Sequence, residues 1–406
     1  MKLQECGKNA EEIKALNETY MISTYARFDF VCESASGMYL YDENHTPYLD
    51  FYGGIAVNST GNCNEKVVEA VREQALDVIH TFNYPHTIPQ ALLAEKICTT
   101  LGYDKIFYQN SGAEANEAMI KMARKYGVDK YGEEHYQIIT AKNSFHGRTY
   151  GALSATGQPD NACQIGFKPM LPGFQYADFN DVASFRRLVT KDTTAIMLEP
   201  IQGEGGVLPA TQEFMTGIAD LCKEHDILLL VDEIQTGWCR TGEIMGYMHY
   251  GIKPDIVSMA KAMGGGMPIS AIVTSEAIAQ AFSAGSHGTT YGGNAVCCAA
   301  SLAQITELLE RDLAKNAAVL GERFMEQLRR LPGVKEVRGR GLLVGVEYHA
   351  PVGAAVKKKC LEKKLLVTLI GDRIIRMVPP LILTQEHVDQ AVAILDEASR
   401  EVSKAS

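Results

Sequence analysis

The sequence lacks the features that direct a protein to nucleic acid or into a membrane. Its 39 basic residues are outnumbered by 49 acidic ones, and the net charge of −10 leaves no broad basic surface for nucleic acid. No run of about 18 apolar residues is present to span a bilayer, and the N-terminus has no apolar signal-peptide core. We therefore expect a cytoplasmic protein that binds neither nucleic acid nor membranes.

Metal-binding and dinucleotide-binding patterns are also missing. None of the ten cysteines forms a C-x-x-C pair, so zinc-ribbon and thioredoxin-type motifs have no support. Cysteines scattered through an apolar chain are typical of reduced core residues in a cytosolic protein. The run of three glycines at 264–266 does not fit G-x-G-x-x-G. We expect no metal site and no dinucleotide site.

The 406 residues are instead patterned as a large α/β protein of more than one domain. Short apolar runs of strand length alternate with helical patterns in the middle of the chain, which favours a mostly parallel sheet covered by helices. The predicted strands are 104–108, 137–141, 194–198, 227–231, 256–259 and 271–274, and the predicted helices include 113–125 and 212–225.

The two ends of the chain have a different pattern. Residues 38–51 predict a hairpin with its turn at 42–45. Residues 295–330 predict a long helical region that stops at a Leu-Pro-Gly sequence. Two further strands and a last amphipathic helix, 385–402, follow. We expect an N-terminal segment, 1–57, that joins a C-terminal small domain, 295–406, beside a large domain, 58–294, with the site in the cleft between them.

Residues 110–117 form a small-residue turn between a strand and a helix. Free N–H groups at such a helix N-terminus, around Ser111, Gly112 and Ala113, can hold a phosphate, and the helix dipole favours an anion there. The same residues also fit an ordinary cap in which Ser111 pairs with Glu114. Taken alone, the motif favours the cap.

Asp232 directly follows the apolar run Leu-Leu-Leu-Val. Ligands of parallel sheets bind just outside the carboxyl ends of the strands, and a carboxylate buried there needs a cation or a hydrogen-bond donor. A functional carboxylate is slightly favoured over the alternative, a helix cap or turn residue.

Lys261 lies in Ser-Met-Ala-Lys-Ala-Met, followed by three glycines. Apolar neighbours desolvate an amine, which lowers its pKa and makes it a nucleophile toward carbonyl groups. The glycines allow a close approach of the backbone to a ligand. A lysine that extends to solvent before a glycine cap is an equally good interpretation of this segment alone.

Phe145, His146 and Arg148 follow the predicted strand 137–141. An aromatic ring at a strand end can stack on a planar ligand, and an arginine can pair with a carboxylate. Taken alone, Phe145 is more simply interpreted as a core residue.

Together, these four features match the needs of a single ligand, pyridoxal 5′-phosphate. Its phosphate requires a helix N-terminus, its aldehyde requires a lysine, and its ring nitrogen requires a carboxylate to remain protonated. The stacking aromatic would fix the plane of the ring.

The motifs NSGAEANEAMIKMARKYG, SFHGRTYGALSATG, LEPIQGEGGV, VDEIQTG, AKAMGGGMPISA and HGTTYGGN resemble those of the class III, subgroup II aminotransferases, in the same order. The resemblance extends from about Tyr25 to the last helix. It implies the pyridoxal-phosphate-dependent transferase fold of type I. In this fold, a large domain with a mostly parallel seven-stranded sheet between helices is joined by a smaller α+β domain.

The resemblance also implies a role for each motif. Lys261 would be the Schiff-base lysine and the proton shuttle, and Asp232 would hold the pyridinium. The expected cofactor contacts are the phosphate-binding Ser111, Gly112 and Ala113, the stacking Phe145, and Gln235 at the ring hydroxyl. Thr290 would contact the phosphate of the partner subunit's cofactor, so the resemblance implies a homodimer with shared active sites.

Three residues are implied to bind substrate. Arg376 would clamp a substrate carboxylate, and Arg148 would act near the other end of the pocket. Glu204 would cover Arg376 when an ω-amino donor binds and move away for a dicarboxylate; the alternative is a surface glutamate in a glycine-rich loop.

Residues 54–58 and 373–380 resemble the members of the family that move the terminal amino group of N-acetylornithine to 2-oxoglutarate in arginine biosynthesis. Ornithine, succinylornithine, succinyldiaminopimelate and 4-aminobutyrate remain alternative donors. A pyridoxal-phosphate mutase or racemase and a non-catalytic cofactor-binding protein are more distant alternatives. Trp238 and Cys239 depart from the family's small residues, and Trp238 would either reshape the pocket or pack at an interface.

Overall fold

The computed structural model describes residues 2–405, in which helices and strands alternate along most of the chain. The α-helices are Leu3–Cys6 (α1), Ala10–Tyr20 (α2), Gly53–Ala56 (α3), Glu65–Asp77 (α4), Ile88–Leu101 (α5), Gly112–Tyr131 (α6), Tyr150–Ala155 (α7), Val182–Leu188 (α8), Gln212–His225 (α9), Glu276–Ala279 (α10), Ala295–Glu310 (α11), Leu313–Leu328 (α12), Gly353–Glu362 (α13) and Gln385–Ala405 (α14). Short 3₁₀ helices span Gly246–Tyr250 and Lys261–Gly264.

The strands are Cys32–Ser36 (β1), Tyr39–Asp42 (β2), Pro47–Asp50 (β3), Lys105–Gln109 (β4), Gln137–Ala141 (β5), Phe174–Ala177 (β6), Thr193–Leu198 (β7), Ile201–Gln202 (β8), Leu208–Pro209 (β9), Leu228–Asp232 (β10), Ile256–Met259 (β11), Ser270–Thr274 (β12), Val334–Arg340 (β13), Leu343–Tyr348 (β14), Leu365–Leu366 (β15), Thr368–Ile370 (β16) and Ile374–Met377 (β17).

A seven-stranded sheet with the order β4-β12-β11-β10-β7-β5-β6 forms the centre of the molecule. Strand β12 is antiparallel to both of its neighbours, and the other adjacent pairs are parallel. Strands β7, β10, β11 and β12 are buried along their whole lengths. Strands buried on both faces require a cover on each side. The predicted fold, a mostly parallel seven-stranded sheet between helices, is confirmed.

The direction of the strands brings the chemical motifs to one edge of this sheet. Strands β4, β5, β7, β10 and β11 all point the same way, and their carboxyl ends therefore share that edge. The residues that end or closely follow these strands are, in that order, Ser111, Phe145, Glu199, Asp232 and Lys261. This edge is where parallel sheets bind ligands.

The two ends of the chain meet in smaller sheets. Strand β15, from the C-terminal part, pairs in parallel with β3, from the N-terminal part, in the sheet β1-β2-β3-β15. Another sheet has the order β13-β14-β17-β16 and carries Arg376 on β17. Phe51 packs against Phe324 with ring centroids 5.5 Å apart, which links the N-terminal segment to α12. The domain limits at residues 57 and 294 stay a prediction.

The helical region predicted over 295–330 is present as two helices, because α11 ends at Glu310 and α12 begins at Leu313. Asp312 has a left-handed backbone with φ of 48°, a conformation that aspartate tolerates better than most residues. The apolar spacing continues through the break, so periodicity alone conceals it. The predicted hairpin near residue 40 is present as β2 and β3. Among the described residues, no helix is long and apolar enough to cross a membrane.

Candidate active site

A cavity of about 470 Å³ opens at the carboxyl edge of the large sheet. All four chemical motifs contribute to its wall. The predicted site residues that line it are Ser111, Gly112, Ala113, Phe145, Arg148, Glu204, Asp232, Gln235 and Lys261. Arg376 lies immediately behind this wall, in contact with Glu204 and Gln235. The exposed Thr290 lines a different cavity, together with Phe82 and Tyr84.

Asp232 is buried and held by three donors. The side-chain amide of Asn116 donates to Oδ2 at 2.7 Å, His146 donates to the same oxygen through Nδ1 at 2.8 Å, and the Ile234 N–H donates to Oδ1 at 3.0 Å. Ser258 Oγ donates to Asn116 Oδ1 at 2.7 Å, which fixes the orientation of that amide. These hydrogen bonds fix the orientation of the carboxylate and prevent it from rotating.

Asn116 lies outside the predicted site residues, and His146 was predicted only as a neighbour of Phe145. Their contacts with Asp232 join parts of the chain that are 116 and 86 residues apart. No spacing rule connects such distant residues. The one available indication is that His146 closely follows β5 and that Asn116 lies near the start of α6, the helix after β4, because strand ends at one edge converge.

The helix N-terminus at Ser111 satisfies both interpretations of its motif. Ser111 Oγ accepts from the Glu114 N–H at 3.3 Å, and the Glu114 carboxylate accepts from the Ser111 N–H at 2.8 Å, which together form the capping box. The N–H groups of Gly112 and Ala113 have no acceptor within the helix because they lie in its first turn. Since these residues also line the cavity, they form a cradle for an anion.

Gly112 must be small for this cradle to form. A Cβ atom there would lie 2.9 Å from the side chain of Ile234, which follows Asp232 closely in the chain. The missing side chain therefore lets the helix N-terminus approach the segment that carries the carboxylate. The anion cradle and the carboxylate of Asp232 consequently line the same cavity.

Lys261 begins the 3₁₀ helix after β11 and lines the cavity, so it does not extend to solvent. Burial lowers the pKa of its amine from the ordinary value of 10.5, although the nearby Glu204 carboxylate opposes that shift. A lowered pKa raises the fraction of uncharged amine near neutral pH, and the uncharged amine is the nucleophile.

This lowered pKa predicts how covalent cofactor attachment depends on pH. We expect the rate at which pyridoxal phosphate attaches to the apoenzyme to rise with pH and to level off below 10.5, the ordinary lysine pKa, because the reactive uncharged form accumulates earlier. Stopped-flow absorbance of apoenzyme mixed with the cofactor measures this rate. A rate that continues to rise through pH 10.5 would contradict the burial argument.

Arg376 is buried and is covered by Glu204, with which its Nη1 forms an ion pair. Its Nε donates to Thr368 Oγ1 at 3.1 Å, and its Nη1 donates to the Gly203 carbonyl at 3.3 Å. Burial alone would raise the pKa of Glu204, but the positive charges of Arg376 and Lys261 hold it below its usual value. The pair is therefore ionised and closed.

Gln235 lines the cavity and contacts both members of this ion pair. Its amide nitrogen donates to Glu204 Oε1 at 3.3 Å, and its oxygen accepts from Arg376 Nη1 at 3.4 Å. Gly203 must lack a side chain, because a Cβ there would be 2.1 Å from Gln235 Oε1. The glycine-rich loop that carries Glu204 therefore packs directly onto Gln235.

Glu199 is a further cavity residue that lies outside the predicted set. Its Oε2 accepts from the Phe145 N–H at 3.0 Å, which anchors the backbone of the predicted stacking residue. Burial, together with the neighbouring Asp232 charge, raises the pKa of Glu199 well above its ordinary value. Glu199 therefore contributes to the site by holding the Phe145 backbone in place.

Three other side chains complete the comparison with the predicted site. Arg148 is exposed, with its guanidinium carbon 5.7 Å from the centre of the Phe145 ring. Trp238 and Cys239 are fully buried in the main hydrophobic core and are absent from the cavity wall. They therefore pack in the core of the chain, which matches neither of the predicted alternatives, a reshaped pocket or an interface.

The residues present fit pyridoxal phosphate. An anion cradle at Gly112 and Ala113, a fixed carboxylate at Asp232 and a desolvated amine at Lys261 surround one cavity of suitable size. When bound, this cofactor supplies an aldehyde that takes up an amino group and a ring that withdraws electrons from the reacting carbon.

The sequence model of the family "Aminotransferase class-III" matches residues 20–398 of the chain. The chain belongs to the class-III aminotransferases and is a pyridoxal-phosphate-dependent enzyme that transfers an amino group between a small-molecule donor and a keto acid.

Individual relatives narrow the comparison. The chain is 45% identical over 395 residues to the acetylornithine aminotransferase of Methanocaldococcus jannaschii. This alignment covers 96% of this chain and 98% of the relative. It is 44% identical over 387 residues to the enzyme of the same name from Caldanaerobacter subterraneus, covering 94% and 98%. Among solved structures, the ornithine aminotransferase of Toxoplasma gondii superposes with a TM-score of 0.94 at 32% identity, covering 98% and 97%.

Proposed function

We propose that the protein moves the terminal amino group of N-acetylornithine to 2-oxoglutarate, in arginine biosynthesis. The relatives named above support the donor, and the closed Glu204–Arg376 pair is the structural observation that carries the proposal. With Arg376 neutralised, the site does not fix a carboxylate beside the reacting carbon, so a terminal amine can enter. With Glu204 displaced, Arg376 is free to bind a carboxylate of 2-oxoglutarate.

The roles of the individual residues are part of this proposal. Lys261 would hold the cofactor through its Nζ and would move a proton at the carbon that carries the amino group. Asp232 would keep a proton on the ring nitrogen, Phe145 would stack on the ring and Gln235 would bind the ring hydroxyl. Ser111, Gly112 and Ala113 hold the phosphate, and Arg148 contacts the far end of the substrate.

A donor panel tests the assignment directly. Holoenzyme is supplied with 2-oxoglutarate and, in turn, with N-acetylornithine, ornithine, succinylornithine, succinyldiaminopimelate or 4-aminobutyrate, and glutamate formation is measured. We expect kcat/KM to be highest for N-acetylornithine. A higher value for another donor would reassign the substrate, and no glutamate from any donor would favour a mutase, a racemase or a non-catalytic protein.

Glu204→Ala provides a second test, because it leaves Arg376 permanently uncovered. We expect the preference for ω-amino over α-amino donors such as glutamate to fall roughly tenfold, the effect of about one charge-assisted hydrogen bond. Half-reaction rates with each donor measure the ratio. The exposed Glu213→Ala on α9 is the control and should leave the ratio unchanged. An unchanged ratio in Glu204→Ala would contradict the switch.

We also propose a homodimer with shared active sites, in which Thr290 contacts the phosphate of the partner subunit's cofactor. In support, the segment before α5 and the segment around Thr290 pack together, with His80 and Tyr291 ring centroids 5.0 Å apart. Exposed apolar residues cluster here, and Tyr84 is 91% exposed in the single chain. Such a patch is typical of an interface. Sedimentation at several protein concentrations distinguishes a dimer from a monomer.

A cytoplasmic location of the protein stays a prediction.

A further inference from the structure

The backbone at Lys261 has a conformation that requires external support. Its φ is 46°, in the left-handed region, and the preceding Ala260 is extended with φ of −162°. Residues with a side chain disfavour the left-handed region and remain there only when their surroundings enforce it. The structure therefore has to contain groups that hold this peptide in place.

A buried glutamine provides that support. Gln304 on α11 is fully buried, and its side-chain nitrogen donates to the carbonyl of Ala262, the residue after Lys261, at 3.1 Å. Its side-chain oxygen accepts from the hydroxyl of Thr60 at 2.5 Å. Because both partners are buried, neither hydrogen bond can be replaced by one to bulk water.

The loop after Lys261 wraps closely around this glutamine. Gly265 is left-handed with φ of 59°, and a Cβ there would lie 3.1 Å from Gln304 Oε1 and 3.2 Å from Gln304 Cβ. The loop consequently has little room to shift while Gln304 keeps its position. Loss of the hydrogen bond from Thr60 would free the amide end of the Gln304 side chain, against which this loop packs.

Thr60 is itself firmly anchored. The carbonyl of the adjacent Ser59 accepts from the Leu381 N–H at 2.8 Å. The Ser59 hydroxyl accepts from the buried guanidinium of Arg240 at 3.2 Å, and the same guanidinium donates to the Pro379 carbonyl at 2.5 Å. Thr60 therefore stands on a segment that is fixed from both the central and the C-terminal parts of the chain.

We propose that Thr60 and Gln304 are positioning residues for the amino transfer, which hold the peptide of Ala262 and thereby aim Lys261 Nζ at the carbon it serves. Neither residue lines the cavity, so they act only through Lys261. This inference rests on the proposed role of Lys261. Loss of the Thr60–Gln304 hydrogen bond should therefore slow the steps that use Lys261 and should leave substrate binding at Arg376 largely unchanged.

The test compares Thr60→Val, which keeps the shape without the hydroxyl, with Thr60→Ser, which keeps the hydroxyl. We expect Thr60→Val to slow both kcat and pyridoxal-phosphate attachment to the apoenzyme roughly tenfold, with KM for both substrates within about twofold, because a buried acceptor is left unpaired. Thr60→Ser should restore most of both rates. If Thr60→Val does not fold, Gln304→Met, which has neither hydrogen bond, must show the same loss.

Three results would overturn the inference: wild-type rates in Thr60→Val, equally slow rates in Thr60→Ser, or a loss confined to KM. Borohydride reduction of each holoenzyme, followed by peptide mass spectrometry, shows whether the positioning role of Thr60 or the proposed role of Lys261 has failed. A cofactor tag on Lys261 in the wild type, with unaffected rates in Thr60→Val, overturns only the positioning role. A wild type without a tag on Lys261 overturns the proposed role of the lysine itself.

Discussion

Lys261→Ala is expected to lower the rate of glutamate formation by roughly 10⁴-fold or more, because it removes both the nucleophile and the proton carrier from one position. The lysine lines the cavity, and burial lowers the pKa of its amine. Neither alanine nor arginine places an amine at this position. Lys261→Arg should be as inactive, since a guanidinium stays protonated and does not attack the aldehyde.

Lys253→Ala is the matched control for this experiment. Lys253 donates to the carbonyls of Leu101 and Gly102, away from the cavity, and its loss should leave turnover within about twofold of the wild type. Coupled glutamate assays on the purified holoenzymes provide the comparison. Substantial turnover in Lys261→Ala would contradict the proposed chemistry.

Asp232→Asn is expected to lower kcat by between about 10² and 10⁴-fold, which is the range for loss of a positioned proton-transfer partner. An amide has no negative charge with which to keep a proton on the ring nitrogen, so the ring withdraws electrons less strongly. The amide also has to accommodate donors from Asn116 and His146 that now point at a carboxylate oxygen. The absorption spectrum of the bound cofactor, measured across pH, reports the ring protonation directly.

Asp255→Asn is the control that distinguishes the loss of kcat in Asp232→Asn from the general effect of removing a buried carboxylate. Asp255 accepts from the Leu229 N–H at 2.7 Å near the start of β10, at the opposite edge of the sheet from Asp232. It should affect the free energy of unfolding without changing the cofactor spectrum. Wild-type kcat and an unchanged spectrum in Asp232→Asn would show that the ring nitrogen does not depend on this carboxylate.

The fold could be predicted from the sequence where apolar runs and helical periods coincide with single elements. Helix α9 occupies the predicted residues 212–225, and β5 and β11 also have their predicted limits. The break between α11 and α12 could not be predicted, because it depends on one left-handed residue, Asp312, within an uninterrupted apolar period. Conformational exceptions of single residues leave no periodic trace.

The site was predictable to the extent that its chemistry is concentrated in local motifs. Lys261, Asp232 and Phe145 each follow a strand, and the sheet brings them to one cavity. The groups that set their properties are not local. Asn116 and Glu199 come from other strand ends, and Gln304 comes from a helix that follows the large sheet in the chain. Such contacts require the three-dimensional arrangement, since no residue spacing encodes them.

The central claim is that Lys261 is the residue to which pyridoxal phosphate attaches during amino transfer. Borohydride reduction of the holoenzyme makes this attachment permanent, and peptide mass spectrometry then locates it. The structure predicts one phosphopyridoxyl group per chain, on the peptide that contains Lys261, and its loss when N-acetylornithine is added before reduction. A tag on another lysine, or a tag that the donor does not remove, would contradict the account.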